Sequence, residues 1–546
     1  MRTQRSLKYP PRGASMAKKK VRVKLINIRH SFNETPDLRD LVSACLRMPP
    51  QDIISIQIIK RAVDARQERL DLVYTIAVEL YASQKVLNEI LKRTDVSHYD
   101  TIPTHRPHKL KKNQTCSPVI IGCGPSGLFA ALTLVERGAR PIIFERGARM
   151  VKRIRDVNEF WTHGVLNIES NVLFGEGGAG TFSDGKLTTR IKSPFRQKVL
   201  HELVKFGAPE EILFVNKPHL GTDRIRQIIC AMVDSLGKRG AQFFFETKVH
   251  RILFENGQVN SVQTNRDIIK TDTVFLGCGH SARDMFESLR QDGIVLEKKG
   301  FAVGLRIEHP QEFINRAQWG KWCGTPGLGP ADYFLTYTDR ESGRGVYTFC
   351  MCPGGYIISC STYQGELATN GMSYYRRDSP WANAAVVVTI AATDFKAPDP
   401  LAGLEFQKAL EHKAFIMGGE QFKIPAQRAR DFFKREKTKI DSATCSCLPG
   451  AMPADLNELL PEFLNGPLKQ ALEHFNRKIA GFIDEGTLFG VETRTSSPVR
   501  IKRHAHNFQA IGVKGLFPIG EGAGYAGGIM SCAVDGIRAA LSFDQD

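Results

Sequence analysis

The chain has 546 residues, of which 42% are hydrophobic and 24% charged, with a formal net charge of +18. That length is too great for one core, and the composition is that of a soluble globular protein of several domains, not of a disordered or fibrous chain. No run of eighteen apolar residues occurs, which argues against a membrane span.

The N-terminus, MRTQRSLKYPPRGASM, carries charge but no apolar h-region, so it is not a secretory signal. Residues 1–19 read as a leader, with Met16 a second candidate start. The twelve cysteines follow no framework spacing, which fits free thiols in a reducing, cytoplasmic setting. Cys350/Cys352 and Cys445/Cys447 have a one-residue spacer, unlike zinc ribbons or thioredoxin-like sites, so no metal site is expected. The same spacer disfavours a redox disulfide at Cys350/Cys352, whose segment CMCPGG reads as a wall of the active site. Up to Lys112 the chain has 23 Lys+Arg against 11 Asp+Glu, so +12 of the +18 sits there. A solvated basic surface explains this; an RNA, anionic-lipid or acidic-partner surface is the alternative.

Residues 20–100 read as β-α-β-β-α: VRVKLINI alternates like a strand, DLRDLVSACLRM has a helical stripe after an Asp cap, two β-rich runs follow, and SQKVLNEILKR is a Ser-capped helix. The order predicts a small ferredoxin-like α+β domain lacking its last strand. Residues 101–116 have the Pro and Lys content of a linker. Then comes SPVIIGCGPSGLFAALTLVERGARPIIFERG: an apolar strand, a glycine turn, an apolar helix and a second strand. Gly122, Gly124 and Gly127 form G-x-G-x-x-G, and Glu145 lies eighteen positions beyond the third glycine. This predicts a Rossmann-like α/β domain over 117–295 and 482–546, in which the helix start takes a pyrophosphate and Glu145 takes ribose hydroxyls. Residues 296–481 mix strands and amphipathic helices and read as an inserted α+β substrate domain without a second nucleotide motif.

The C-terminal GLFPIGEGAGYAGGIMSCAVDGIRAAL adds a second glycine turn before a helix, which a flavin uses and a simple NAD dehydrogenase does not. Backbone N–H groups around Gly528–Met530 would face the flavin edge that gains charge on reduction. The set IIGCGPSG, FERG, FGEGGAGTFSDGKL, DTVFLGCGHSARD, FCMCPGG, NGMSYYRRD, GVETRTSSPVRI and IGEGAGYAGGI resembles a family of FAD-dependent dehydrogenases of unassigned substrate. More distantly it resembles glutathione-reductase-like flavoproteins of the second type. The resemblance runs from about residue 20 to the C-terminus and implies tightly bound FAD and oxidoreductase activity. Many such proteins end the second motif in Gly-Asp, where this chain has Gly520-Glu521.

The expected cofactor-binding residues are Gly122, Gly124, Pro125, Ser126, Gly127, Glu145 and Arg146; then Gly177, Gly178, Ser183, Val249 and Gly279; then Gly520, Glu521, Gly527, Gly528 and Ile529. In similar flavoproteins the segment matching Gly175–Lys186 passes over the flavin. Lys186 could offset reduced-flavin charge or bind an anionic substrate, and Asp184 could act beside it or merely pair with it. Arg494, with Arg500, Thr495, Ser496 and Ser497, suits a carboxylate or phosphate, or braces a domain junction. His280 is an acid/base candidate or a structural hydrogen bonder. Lys186, Asp184 and Arg494 are thus the candidate catalytic groups. The expected activity is hydride transfer through FAD to or from a small organic molecule, with NAD(P)H as a transient donor left open. A tRNA-modifying FAD protein whose basic N-terminal domain binds RNA, and a non-enzymatic flavin-fold protein, are the alternatives; nucleic acid is disfavoured because no aromatic RNA-binding strand is evident.

Overall fold

A computed structural model describes residues 18–66, 68–100, 108–109, 117–437 and 445–543. The expected leader up to residue 17, and nearly all of the expected linker, lie outside the described residues. Contacts divide the chain into two units.

The first unit contains strand β1 (Lys19–Ser31), helix Leu38–Leu46, β2 (Ile53–Asp64), β3 (Asp71–Ala82), helix Gln84–Leu91 and β4 (Val96–His98). Its sheet has the order β2-β3-β1-β4, and every neighbouring pair is antiparallel. Alternation in β1 buries Val23 and Leu25, which join Val42 and Leu46 of the first helix and Leu87 and Ile90 of the second in one core. Asp37 caps the first helix by accepting from the N–H groups of Arg39 and Asp40, and Ser83 caps the second by accepting from Val86. The final strand, which the sequence reading omits, is present but short. Three residues with one buried side chain carry no periodic signal. Glu210–Pro218, which the sequence reading places in the nucleotide domain, groups with this unit. Arg61 N donates to Phe214 O at 2.7 Å, and the Arg61 guanidinium lies 5.2 Å from the Phe214 ring centre.

The second unit is built on a parallel sheet. β5 (Val119–Ile121), β6 (Ile142–Phe144) and β7 (Gln242–Phe244) are followed by the meander β8 (Val249–Glu255), β9 (Gln258–Thr264) and β10 (Ile268–Lys270), and then β11 (Val274–Leu276). β12 (Leu296–Lys298) and β13 (Phe301–Pro310) lead into β14 (Thr336–Thr338), β15 (Gly345–Cys352), β16 (Gly355–Ser359), β17 (Thr369–Ser373) and β18 (Trp381–Ile390). β19 (Ile424–Arg428), β20 (Ala451–Pro453), β21 (Thr487–Glu492), β22 (Val499–Ile501) and β23 (Leu516–Pro518) complete the set.

The five-stranded sheet has the order β23-β11-β5-β6-β7. Its central strands, Val-Ile-Ile and Val-Phe-Leu, are buried on both faces, as parallel strands covered by helices must be. The chain leaves β5 toward β6 on one side and returns through β11 on the other, so the switch point lies between β5 and β11. Ligand crevices form at the C-terminal ends of such strands. Helices Pro125–Glu136 and Ile529–Ser542 press together at Gly536, where an added Cβ would come 2.1 Å from Ser126 O.

A seven-stranded sheet, β14-β15-β18-β13-β21-β19-β20, forms the second layer system. β13 and β18 pair along ten residues through a core of Val303, Leu305, Ile307, Val386 and Val388. β21 pairs with β13 and β19 here. The boundary expected at residue 482 therefore falls before the last strand of this sheet, not after it. An apolar strand reads alike whichever sheet it joins.

Glu308 of β13 is buried and accepts from Ser446 N at 3.0 Å and from the Ser446 hydroxyl. Burial lifts its carboxyl from 4.5 to about 8. A carboxyl raised in the folded state contributes stability that is complete below about 4.5 and is lost as pH rises through about 8. Glu308→Gln is therefore expected to unfold at a higher temperature than the parent above pH 8 and to lose that advantage near pH 5. Thermal melts across that range check it; parallel melting curves at every pH would contradict it.

Candidate functional site

The first glycine turn ends β5. Gly122 has φ +99°, and a Cβ there would lie 2.4 Å from Gly277 O at the end of β11. A Cβ on Gly127 would lie 2.0 Å from Gly122 O. These two glycines are required by packing. Gly124 differs: an added Cβ would meet nothing nearer than Gly178 Cα at 3.9 Å, so its backbone borders open space. It precedes Pro125, the first residue of the helix, where a proline costs no hydrogen bond. Ser126 sits beneath a third segment, its Oγ 2.5 Å from where a Cβ on Gly520 would stand.

The glycine-dense loop Phe174–Leu187 runs beside this turn. Gly177 N donates to Cys123 O at 2.9 Å. A Cβ on Gly178 would lie 3.0 Å from Gly124 Cα, and one on Gly180 would lie 3.1 Å from Ile529 Cγ1. The loop thus links the first glycine turn to the start of the C-terminal helix. Its organiser is Arg153, fully buried, which the sequence reading missed. Arg153 Nε donates to Asn171 O at 2.9 Å, Nη2 to Val172 O at 2.9 Å, and Nη1 to Glu176 O at 2.7 Å, Gly178 O at 3.0 Å and Thr181 Oγ1 at 2.7 Å. Gly175, at φ +129°, must lack a Cβ because one would stand 2.3 Å from Arg153 Cδ. The buried Phe182 ring lies 4.9 Å from the Arg153 guanidinium and 4.1 Å from that of Arg226. Ser183 turns inward, donating to Gly180 O at 2.8 Å and accepting from Gly185 N at 3.1 Å.

Glu145 directly follows β6 and is 5% exposed. Its carboxylate accepts from Cys123 N at 2.8 Å, Gly147 N at 3.0 Å and Gly175 N at 2.9 Å. It therefore ties the two glycine loops together, a task beyond the ribose contact expected from its spacing. Arg146 donates to Glu169 at 2.6 Å and Asp284 at 3.1 Å, and its guanidinium lies 4.2 Å from the Phe174 ring. Lys248 pairs with the same two carboxylates. Val249, the first residue of β8, is buried among Phe144 and Phe174.

At the far end, Gly279, Gly527 and Gly528 would each accept a Cβ with no atom within 4 Å, so they face open space. Glu521 pairs with His280 Nδ1 at 3.3 Å and accepts from Gly528 N at 3.3 Å. Burial raises its proton affinity, but the hydrogen bond and charge of His280 bring it down overall. His280 Nε2 is buried with no partner among the described residues.

The three candidate catalytic groups are engaged elsewhere. Asp184 is 1% exposed and accepts from Arg377 at 3.0 and 2.5 Å and from the Ser373 hydroxyl; Lys186 Nζ stays 3.9 Å away. It is a buried anchor of the glycine loop, not a free acid. Lys186 donates to Met351 O, between Cys350 and Cys352. The Cys350 thiol is pulled below its usual range, first by its hydrogen bond with Cys352 and then by the Lys186 and Arg306 cations. Arg494 donates to Glu411 at 3.0 and 2.8 Å, to Thr362 at 2.9 Å and to Ser281 at 3.2 Å, all buried. Arg283 joins the same carboxylate at 2.8 Å. Burial opposes ionisation of Glu411, but the Arg494 and Arg283 guanidiniums hold it down at about 2. Arg494 thus gives four of its five N–H donors to Glu411, Thr362 and Ser281 and braces this buried cluster.

A family described as FAD-dependent protein, C-terminal domain-like, matches residues 300–495, and a domain of unknown function matches residues 22–80. An uncharacterized protein of Clostridium beijerinckii is 42% identical over 522 residues, spanning 95% of this chain and 98% of its own. Among solved structures, NikD, an unusual amino acid oxidase essential for nikkomycin biosynthesis, aligns at 12% identity over 79% of this chain and 94% of its own, with a TM-score of 0.35. Glycine oxidase from Bacillus cereus aligns at 12% identity over 79% and 96%, with a TM-score of 0.34. Likeness at that level does not speak to what this chain acts on.

Proposed function

We propose, from the premise that this chain belongs to a family of FAD-dependent oxidoreductases with no assigned substrate, that it moves a hydride between its FAD and a small anionic organic molecule. The observation that carries the reading is the continuity of the glycine segments, with Gly178 against Gly124 and Gly180 against Ile529. The residues fit the cofactor: Gly124, Gly279, Gly527 and Gly528 border open space, and His280 offers beside Glu521 a buried nitrogen with no partner among the described residues. Gly124, Pro125 and the following helical N–H groups would hold the pyrophosphate. Glu145 keeps a lone pair beyond its three backbone donors for a ribose hydroxyl. Glu521 and His280 would take the ribityl hydroxyls, one methylene farther than an aspartate reaches. Gly527 N and Gly528 N donate to Ser531 Oγ and Glu521, which shapes the turn, and Ile529 at the helix start would offer its N–H toward the ring's pyrimidine edge.

When bound, FAD supplies the hydride-accepting and hydride-donating ring. The chain's own contribution is to hold, orient and exclude water. The Phe174–Leu187 loop is rigid because Arg153 and Glu145 bond its backbone from both sides. Lys186 places a cation on the Met351 carbonyl. The first unit, with its β2-β3-β1-β4 order, is the ferredoxin-like part of this reading.

Anaerobic titration of the FAD-loaded protein tests the function. Reduction by NADH, NADPH or dithionite, followed by reoxidation by a small organic acceptor, is expected. Bound FAD that dithionite reduces but no acceptor reoxidises would leave a binding role only.

A further inference from the structure

A cavity of about 500 Å³ opens beside the C-terminal glycine turn, and the cations Arg190, Lys299 and Arg500 line it with Tyr525 and no carboxylate. The three cations are poorly matched inside the protein. Arg190 is exposed, 5.7 Å from the Phe334 ring centre, and forms no ion pair among the described residues. Among the described residues, Lys299 Nζ has neutral acceptors alone, Ser497 O at 3.2 Å, Ser496 Oγ at 3.4 Å and Gly300 O at 3.5 Å. Arg500 gives Nη1 to Glu297 at 2.9 Å, but Glu297 is shared with Lys502. Arg500 Nε is buried with no partner among the described residues. Burial, and then the Arg500 charge, lower the proton affinity of Lys299. Glu297 on Arg500 and the Glu521 charge on Lys299 offset only part of this. Positive charge gathered with partial compensation in a concave site is a disposition toward an anion.

The charge is not explained by the pyrophosphate, because none of the lining residues belongs to the Gly122–Gly127 turn. The lining does include Gly527 and Ser531, next to the expected ring-facing turn. The volume lies within the range of small-molecule sites. We infer that this cavity receives the anionic group, a carboxylate or a phosphate ester, of the small molecule that exchanges electrons with the FAD. This rests on the function proposed above and adds its substrate class. Arg500 would supply a fork, Arg190 an exposed second contact, and Lys299 a point charge from the cavity wall.

The test titrates the full FAD-loaded chain with sodium succinate and, separately, inorganic phosphate, read by flavin absorbance and calorimetry at low and high salt. Saturable binding of at least one is expected. It should weaken with salt, and by about tenfold or more in Arg190→Gln and in Arg500→Gln, with FAD content unchanged. Which anion binds separates the carboxylate from the phosphate. Arg190 is exposed, so its variant tests the site without endangering the fold. No saturable binding of either anion would overturn the inference, as would unchanged affinity in both variants. Variants that shift the reduction potential of FAD while leaving anion affinity untouched would assign the cations to the cofactor instead. A protein that holds no FAD yet binds succinate through Arg190 would sink the proposed function and leave the anion site standing.

Discussion

Arg153→Met is expected to destabilise the chain by on the order of 4 kcal/mol or more and to weaken FAD retention by about tenfold or more. The substitution keeps an apolar stem against Gly175 but strands the carbonyl oxygens of Asn171, Val172 and Glu176 in a buried setting; Gly178 O keeps its bond from Thr181 Oγ1. Each orphaned buried acceptor costs about 1–3 kcal/mol, and some of that is recovered by relaxation. The loop would relax where it meets Gly124 and Ile529, so both ends of the cofactor site move together. Denaturant melts and equilibrium FAD titration separate the two effects. Lost stability with unchanged FAD affinity would mean that the loop does not border the cofactor.

Arg494→Met should cost about 3–5 kcal/mol, because it removes one of two guanidiniums from a fully buried carboxylate. Glu411, held at about 2 in the folded chain, contributes stability that is complete above about 4.5 and is lost as pH falls toward 2. The variant should therefore be weaker at neutral pH and show less acid-dependent loss than the parent. Denaturation midpoints at pH 7 and pH 3 read both. A stable variant that binds FAD but turns over nothing would give Arg494 a catalytic role instead.

The parts of this chain that are legible in sequence are the local ones. The Gly122–Gly127 turn is read correctly as a strand-to-helix turn because strand, turn and helix are consecutive, and the glycine-rich start of the last helix for the same reason. Asp184 and Arg494 have the right chemistry for a site, but their partners lie 193 and 83 residues away, and no spacing rule pairs them. Arg153 was hidden differently. It sits in the amphipathic helix Met150–His163 beside Lys152 and Arg155, where an arginine reads as a solvated face. Its signal lay in the loop: so many glycines imply something bulky passing close, and at Gly175 that something is the Arg153 stem. The glycines of that loop therefore answer two demands, Gly175 to the arginine and Gly178 to the neighbouring turn.

The central claim is that these glycine segments hold FAD, and the visible spectrum of the purified full chain, with its flavin released and quantified, tests it most directly. The expected result is the two-banded spectrum of oxidised flavin with one FAD per chain, restored by added FAD after stripping. A colourless protein that takes up no FAD on reconstitution would contradict it.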